Sequence, residues 1–186
     1  MRLEPNEATQ RFLDIRNHGF VRVAVVVPRV HLANPAKNAE EHLKELEKVR
    51  AKGTMFALLP ELGLTGYSCG DLFQSQTLQQ GALEALRTLL QRTKDWNMLI
   101  NVGLPLVSDG LLFNVAATIY HGEVLAVVPK AYPPEYREFY ELRHFARGQE
   151  AVSKIIRLFG KDVFFGTDIL VKWNDNSNFV LHTDIC

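Results

Sequence analysis

Short apolar runs that alternate with longer amphipathic stretches constrain the fold of this 186-residue chain more than any other feature of its sequence. Residues 21–27 (VRVAVVV) are rich in β-branched side chains and are closed by Pro28, which is typical of a buried strand. A helix is predicted to begin at Pro35 and to end at Gly53, because apolar side chains recur there at intervals of three and four. This apolar stripe comprises Ala39, Leu43, Leu46 and Val49.

The rest of the pattern predicts one more long helix, several strands and two hairpins. The helix is expected over about 77–94, and the first hairpin turns at residues 121–123, where Gly122 suits a positive φ. The second hairpin is expected around Gly160 and Lys161. Strands are expected at 55–60, 98–103, 111–120, 124–128 and 178–185, with a loop at 174–178. We therefore predict a mixed α/β sheet that is covered by helices on one face.

The composition excludes several classes of function. Lys plus Arg and Asp plus Glu both number 21, so the net charge is zero, without the basic excess that nucleic acid or an anionic membrane would require. No apolar stretch approaches the ~18–20 residues of a membrane span, and two cysteines are too few for a disulfide framework. We expect a cytoplasmic protein without nucleic acid or membrane partners, built as an N-terminal arm (1–18) and one domain (19–186).

Ionisable side chains follow three of the predicted strands. Glu61 comes directly after the apolar run that ends in Pro60, Lys130 follows a similar run that ends in Pro129, and Cys186 follows the last strand. Proline stops a strand ladder, and the carboxyl ends of strands are where α/β sheets build their sites. A carboxylate that takes the thiol proton and a lysine that stabilises an oxyanion together predict acyl transfer from an amide, with ammonia as the leaving group.

A competing pattern predicts a serine hydrolase. Residues 66–70 (GYSCG) fit G-x-S-x-G, and Ser68, Asp168 and His182 follow the order of an α/β-hydrolase triad. That motif needs a strand running directly into the serine, whereas residues 60–63 intervene, so we rank this reading lower. The histidines and cysteines form no metal-binding motif, and no glycine-rich phosphate-binding motif occurs, so neither a metal nor a nucleotide cofactor is expected in this chain.

Four segments resemble one known family. They read FALLPELGLTGYSCGDLF, VVPKAYPPEYREFYELRHFARG, FGTDIL and VLHTDIC, and they resemble the glutaminase domains of glutamine-dependent NAD synthetases, within the nitrilase (carbon–nitrogen hydrolase) superfamily. By this resemblance Glu61 matches the general base, Lys130 the oxyanion-stabilising lysine and Cys186 the nucleophile. Glu141 matches a second glutamate that supports the lysine. The implied fold is an α-β-β-α sandwich, of which the sequence supplies only the N-terminal part.

The resemblance also implies a substrate and partners. Tyr67 and Tyr136 fall where the family lines its glutamine pocket, and the implied reaction hydrolyses the glutamine side-chain amide through a cysteine thioester. In the family the ammonia passes to a C-terminal synthetase domain, which uses ATP and Mg²⁺ and is absent here, and homo-oligomers are expected. Because the sequence stops at Cys186, we expect a fragment that is weak or inactive alone.

Two other hypotheses remain open. A stand-alone nitrilase-type amidase with another substrate would use the same three residues. A non-catalytic remnant or partner subunit would instead pair its exposed strand edges, such as the predicted strand 178–185, with another chain.

Overall fold

A computed structural model describes residues 6–174 and 179–186, and its nine described strands form two sheets. The helices are α1 (Glu7–Leu13), α2 (Pro35–Arg50) and α3 (Gln76–Thr93). The strands are β1 (Val23–Val25), β2 (Phe56–Leu58), β3 (Leu99–Ser108), β4 (Leu111–Tyr120), β5 (Glu123–Pro129), β6 (Ile155–Leu158), β7 (Lys161–Phe165), β8 (Leu170–Lys172) and β9 (Val180–His182). The larger sheet has the order β1-β2-β3-β4-β5-β7-β6, and β8 pairs with β9 in the smaller one.

Strand directions place the ends of β2 and β5 at the same edge of the larger sheet. β1, β2 and β3 run parallel, whereas β4 is antiparallel to both of its neighbours, β3 and β5. β5 therefore runs in the same direction as β2, two strands away from β3. Side chains that follow β2 and β5 consequently emerge on one side of the molecule.

Helices α2 and α3 cover one face of this sheet. The Asn34 side chain accepts a hydrogen bond from the Lys37 amide and caps α2, and Pro35 occupies its first turn. The apolar stripes of both helices pack against alternate strand residues in one continuous core. Its buried members include Ala39, Leu43 and Leu46 of α2, Ala82, Leu86 and Leu89 of α3, and Ile100, Val102, Val115 and Ala117 of the sheet.

The β8–β9 hairpin lies over part of the opposite sheet face. The Phe56 and Phe179 rings are 6.3 Å apart between centroids, and those of Tyr120 and Trp173 are 5.2 Å apart. The described residues thus form three layers, in the order helices, large sheet and hairpin. The predicted mixed α/β architecture is confirmed.

Several element boundaries differ from those predicted. Strand β3 continues through Pro105 to Ser108, paired with β4 on one side. Pro105 is tolerated there because β2 ends opposite Asn101, so no strand on the other side needs the N–H that proline lacks. Strand β8 was missed, because the alternation of half-buried and exposed side chains over three residues is too short to recognise without its partner strand β9. The last predicted strand shrinks to β9. Residues 175–178, which carry most of the predicted loop and the start of that strand, lie outside the described residues.

The described part of the predicted arm is helical. Asn6 accepts a hydrogen bond from the Thr9 amide at 2.9 Å and caps α1, and residues 15–18 form a 3₁₀ turn. Phe12 and Leu13 of α1 remain exposed. The division into an arm (1–18) and a domain (19–186) stays a prediction.

We expect the free energy of unfolding to decrease as the pH falls from about 6.5 to about 4, because of His42. This α2 side chain is fully buried, and burial lowers its pKa from 6.5 to about 4, although a hydrogen bond to the Asn38 carbonyl opposes the shift. In that window the unfolded chain binds a proton that the folded chain does not. The free energy of unfolding should therefore fall by about 3 kcal/mol across it, with no contribution from His42 above pH 6.5.

Urea denaturation at successive pH values tests this expectation. A His42→Gln variant should lose most of the slope between pH 6.5 and pH 4, whereas His18→Gln, at an exposed position, should keep it. An unchanged slope in His42→Gln would contradict the assignment.

Candidate active site

Two loops that follow strands carry the acidic and basic residues to one edge of the sheet. Glu61 follows β2 after Pro60, and Lys130 follows β5 directly after Pro129. The backbone N–H of Lys130 donates to the carbonyl of Asn114 on β4, at 2.8 Å, which fixes the point where Lys130 leaves the sheet. The two residues, 69 positions apart in the sequence, are brought into contact there.

The Lys130 ammonium lies between two carboxylates. Its Nζ is 2.7 Å from Glu61 Oε1 and 2.9 Å from Glu141 Oε1, and the lysine side chain is 1% exposed. Burial by itself would lower the pKa of Lys130, but the hydrogen bonds and charges of Glu61 and Glu141 outweigh it, so the pKa is raised. Lys130 is therefore a fixed cation at neutral pH.

Tyr67 extends the cluster on the side of Glu141. Its hydroxyl donates to Glu141 Oε1 at 2.7 Å, so this oxygen receives hydrogen bonds from both the lysine and the tyrosine. Burial, followed by the hydrogen bond to Glu141, raises the pKa of the Tyr67 hydroxyl, which therefore remains a donor at neutral pH. Glu141 itself is buried at the start of a 3₁₀ turn that ends at Arg143.

Asn114 is a site residue that the sequence interpretation missed. Its side-chain amide donates to Glu61 Oε1 at 2.5 Å from a position in β4 that is 1% exposed. The available signal was a polar residue in the apolar run LLFNVAATIY, where a buried amide needs a partner.

Two glycines permit the backbone at Glu61 and at Lys130 to lie close to neighbouring backbone segments of the same chain. A Cβ on Gly103 of β3 would lie 2.5 Å from the Pro60 carbonyl oxygen and 2.9 Å from the Glu61 carbonyl carbon, with the Leu62 nitrogen closer still. A Cβ on Gly148 would lie 2.9 Å from the Pro129 oxygen and 3.1 Å from the Lys130 oxygen. Each loop therefore packs directly against the backbone of a glycine, where any side chain would be in the way.

Cys186 shares a cavity with Glu61. The cavity measures about 370 Å³, lies on the sheet face opposite the helices and is roofed by residues 183–186. Asn101 Nδ2 donates to Thr183 Oγ1 at 2.7 Å and ties this last segment to β3. The structure thus brings Glu61 into contact with Lys130 and into one cavity with Cys186.

The two predicted pocket tyrosines are placed differently. Tyr67 lines a second cavity, of about 270 Å³, together with Phe73, Phe139 and Glu141. Tyr136 is 63% exposed and does not line this cavity; its ring contacts Phe139 edge-on, with 5.7 Å between centroids. A role for Tyr136 in binding substrate stays a prediction.

The serine hydrolase reading receives no support from the geometry. Ser68 is exposed in the loop that follows β2, which already ends at Leu58, so no strand runs into it. The His182 ring contacts the Thr167 carbonyl at 3.3 Å. Across residues 6–174 and 179–186 no group of three potential metal ligands comes together, and within the same ranges no helix is long and apolar enough to cross a membrane.

The fold and the buried charge cluster define an α/β domain with a lysine held between two glutamates at the edge of its sheet. The sequence model of the carbon-nitrogen hydrolase family matches residues 22–155. The chain belongs to the carbon–nitrogen hydrolase family.

Particular relatives within this family refine the comparison. Over 175 residues the chain is 40% identical to a glutamine-dependent NAD(+) synthetase of Mycobacterium tuberculosis strain ATCC 25618 / H37Rv, a match that covers 94% of this chain and 26% of the relative. The chain thus spans about a quarter of the length of that relative. The resemblance to glutamine-dependent NAD synthetases is confirmed, while the roles of individual residues stay predictions.

Solved structures confirm the fold. A glutamine-dependent NAD(+) synthetase from Cytophaga hutchinsonii superposes with a TM-score of 0.76 and 21% identity, covering 83% of this chain and 26% of that one. An amidase from Nesterenkonia sp. superposes with a TM-score of 0.58 and 21% identity, covering 76% of this chain and 53% of that one.

We expect Gly103→Ala to destabilise the fold through the Glu61 loop. The new methyl group would overlap backbone atoms that no side-chain rotation can clear, so the free energy of unfolding should fall by about 1–3 kcal/mol. Gly81→Ala in α3 is the matched control, since its Cβ would meet Pro35 at an ordinary 3.4 Å and alanine favours the helix. Equal urea midpoints for the two variants would contradict the close approach at Gly103.

Proposed function

We propose that this chain supplies the amide-hydrolysing site of a glutamine-dependent NAD synthetase, with Cys186 as nucleophile, Glu61 as general base and Lys130 as oxyanion stabiliser. One observation carries the proposal: a permanently charged, buried lysine contacts the carboxylate that shares a cavity with the cysteine. The 40% identity to the M. tuberculosis synthetase supports the choice of family member.

The first half of the reaction forms a thioester. Glu61 takes the proton of the Cys186 thiol, and the sulfur attacks the carboxamide carbon of the glutamine side chain. The carbonyl electrons move to the oxygen, whose negative charge is stabilised by the Lys130 ammonium. Glu61 then gives its proton to the nitrogen, the carbon–nitrogen bond breaks, and ammonia leaves.

The second half regenerates the enzyme. Glu61, ionised again, takes a proton from water, and the hydroxyl oxygen attacks the thioester carbon. The carbon–sulfur bond breaks to release glutamate, and Glu61 returns its proton to the Cys186 thiolate. Glu141 and Tyr67 take no proton in this scheme; they hold the Lys130 ammonium in place through Glu141 Oε1.

The wider context belongs to the same proposal. Tyr67 and Tyr136 would line the glutamine pocket, and the released ammonia would be used by a synthetase domain that binds ATP and Mg²⁺, so this domain needs no cofactor of its own. We place the protein in the cytoplasm, as a homo-oligomer.

A second candidate is an amidase that acts on other small amides. The same three residues would serve this alternative, and the Nesterenkonia amidase shows that an overlapping fold occurs in an amidase. A comparison of ammonia release from L-glutamine, propionamide and N-carbamoyl-β-alanine would discriminate, since the synthetase proposal requires a clear preference for glutamine.

We expect substitutions at the three residues to slow or abolish the hydrolysis of glutamine. Glu61→Gln removes the base and should slow ammonia release by about a hundred- to ten-thousand-fold. Lys130→Ala should slow it by about a hundred- to thousand-fold, because the oxyanion loses its cation. With Cys186 in place, intact mass should show a γ-glutamyl adduct, and hydroxylamine should convert this adduct to the hydroxamate. Cys186→Ser should not form this thioester adduct.

The matched control is the other thiol. Cys69 is buried and donates to the Thr65 carbonyl, so Cys69→Ala should leave both the adduct and ammonia release unchanged. The assays use the chain extended by the part of its relatives that lies beyond the match, because the match covers 26% of the M. tuberculosis relative. A Glu61→Gln or Cys186→Ser variant of this extended protein that releases ammonia at the unmodified rate would overturn the assignment.

A further inference from the structure

Asn114 contacts both charged residues of the site through different groups. Its backbone carbonyl accepts the Lys130 N–H at 2.8 Å, and its side-chain amide donates to Glu61 Oε1 at 2.5 Å. The residue lies in the middle of β4, the strand whose neighbour β5 leads into Lys130. One rigid strand position therefore fixes where Lys130 begins and where the Glu61 carboxylate lies.

The two oxygens of Glu61 are left in different states. Oε1 accepts both the Lys130 ammonium and the Asn114 amide, whereas Oε2 has no hydrogen-bond partner among the described residues. Glu61 also lines the cavity that contains Cys186. A carboxylate held by one oxygen keeps the other available to accept a proton.

The orientation of the Asn114 amide has an energetic cost within the fold. Its Oδ1 is buried and has no partner in the described part of the chain, which is unfavourable for a polar atom removed from water. A rotation that exchanged the two ends of the amide would place a carbonyl oxygen against the Glu61 carboxylate. Only the present orientation gives Glu61 a second donor beside Lys130, and it leaves the amide oxygen of Asn114 without a partner among the described residues.

We propose that Asn114 is a positioning residue that holds Oε1 of Glu61 and thereby presents Oε2 to the Cys186 thiol. The inference rests on the proposed function, since it assumes that Glu61 is the base. The inference can nevertheless fail while the proposed function stands, because Lys130 alone could hold the Glu61 carboxylate and Asn114 could serve only to fill space in the sheet.

Two variants separate donation from packing. Asn114→Leu removes the amide at similar volume, and Asn114→Asp keeps the shape but replaces the donor by an acceptor. The readout is the rate at which iodoacetamide alkylates Cys186 in the full chain, followed by peptide mass spectrometry over a range of pH.

Both variants should slow alkylation at neutral pH by about tenfold, as expected for the loss of a hydrogen bond to a charged group. Asn114→Asp should in addition move the acid limb of the pH–rate profile to higher pH, because a second carboxylate beside Glu61 favours its protonated form. The other titratable groups near Glu61 are common to all the variants: Lys130, Glu141, Tyr67 and, in the cavity shared with Cys186, Asp184.

The control is Thr93→Val in α3. Thr93 is buried and its hydroxyl donates to the Leu89 carbonyl at 2.8 Å, so this variant also loses one buried hydrogen bond but lies outside the site. Its alkylation rate and pH profile should equal those of the unmodified chain.

Glu61→Gln separates the failure of this inference from that of the proposed function. If Glu61→Gln slows alkylation but both Asn114 variants react at the normal rate, positioning by Asn114 is wrong and the base role of Glu61 stands. If Asn114→Leu is slow and Asn114→Asp is normal, the residue acts by packing, and the inference is also wrong. If Glu61→Gln reacts normally, the base role fails and the inference fails with it.

Discussion

The burial of one ammonium group governs the rest of this structure. Lys130 is almost completely removed from water, and a lone buried charge would cost several kcal/mol, so the fold must deliver negative charge to Nζ. Glu61 and Glu141 meet that requirement from two separate segments, the loop after β2 and the 3₁₀ turn that begins at Glu141. Because each carboxylate is held within hydrogen-bond distance of the same nitrogen, the relative placement of three distant segments is fixed at this point.

The scaffold around the cluster consists of features that let backbone approach backbone. Gly103 lets the Glu61 loop pack directly on β3, and Gly148 lets its own segment pack directly on the backbone of Pro129 and Lys130. Asn114 of β4 contacts both Glu61 and Lys130. Cys186 reaches the same region by another route, since its segment crosses the opposite sheet face and is anchored through Thr183. A preorganised cation and carboxylate beside a thiol are what attack on an amide requires, which links the packing to the proposed chemistry.

The sequence was informative where local pattern and chemistry coincide. The periodicity of α2 and α3, the run of β4 and the prolines that precede Glu61 and Lys130 were all readable, because each depends on nearby residues. The contacts of Asn114 were not, since a single polar residue in an apolar strand does not reveal its partner 53 positions away. Strand β8 was missed because pairing with β9 defines it, and the exposure of Tyr136 depends on how the chain turns after Lys130, which no periodicity records.

The most direct test of the central claim compares the free energies of unfolding of Lys130→Met and the triple variant Lys130→Met/Glu61→Gln/Glu141→Gln, measured by urea denaturation at pH 7. Removal of the ammonium alone leaves two carboxylates facing each other without a cation, so the single variant should lose about 3–5 kcal/mol. Neutralising both glutamates in the triple variant should restore most of that loss. A single variant as stable as the unmodified chain, or a triple variant no more stable than the single one, would contradict the claim that this buried charge organises the site.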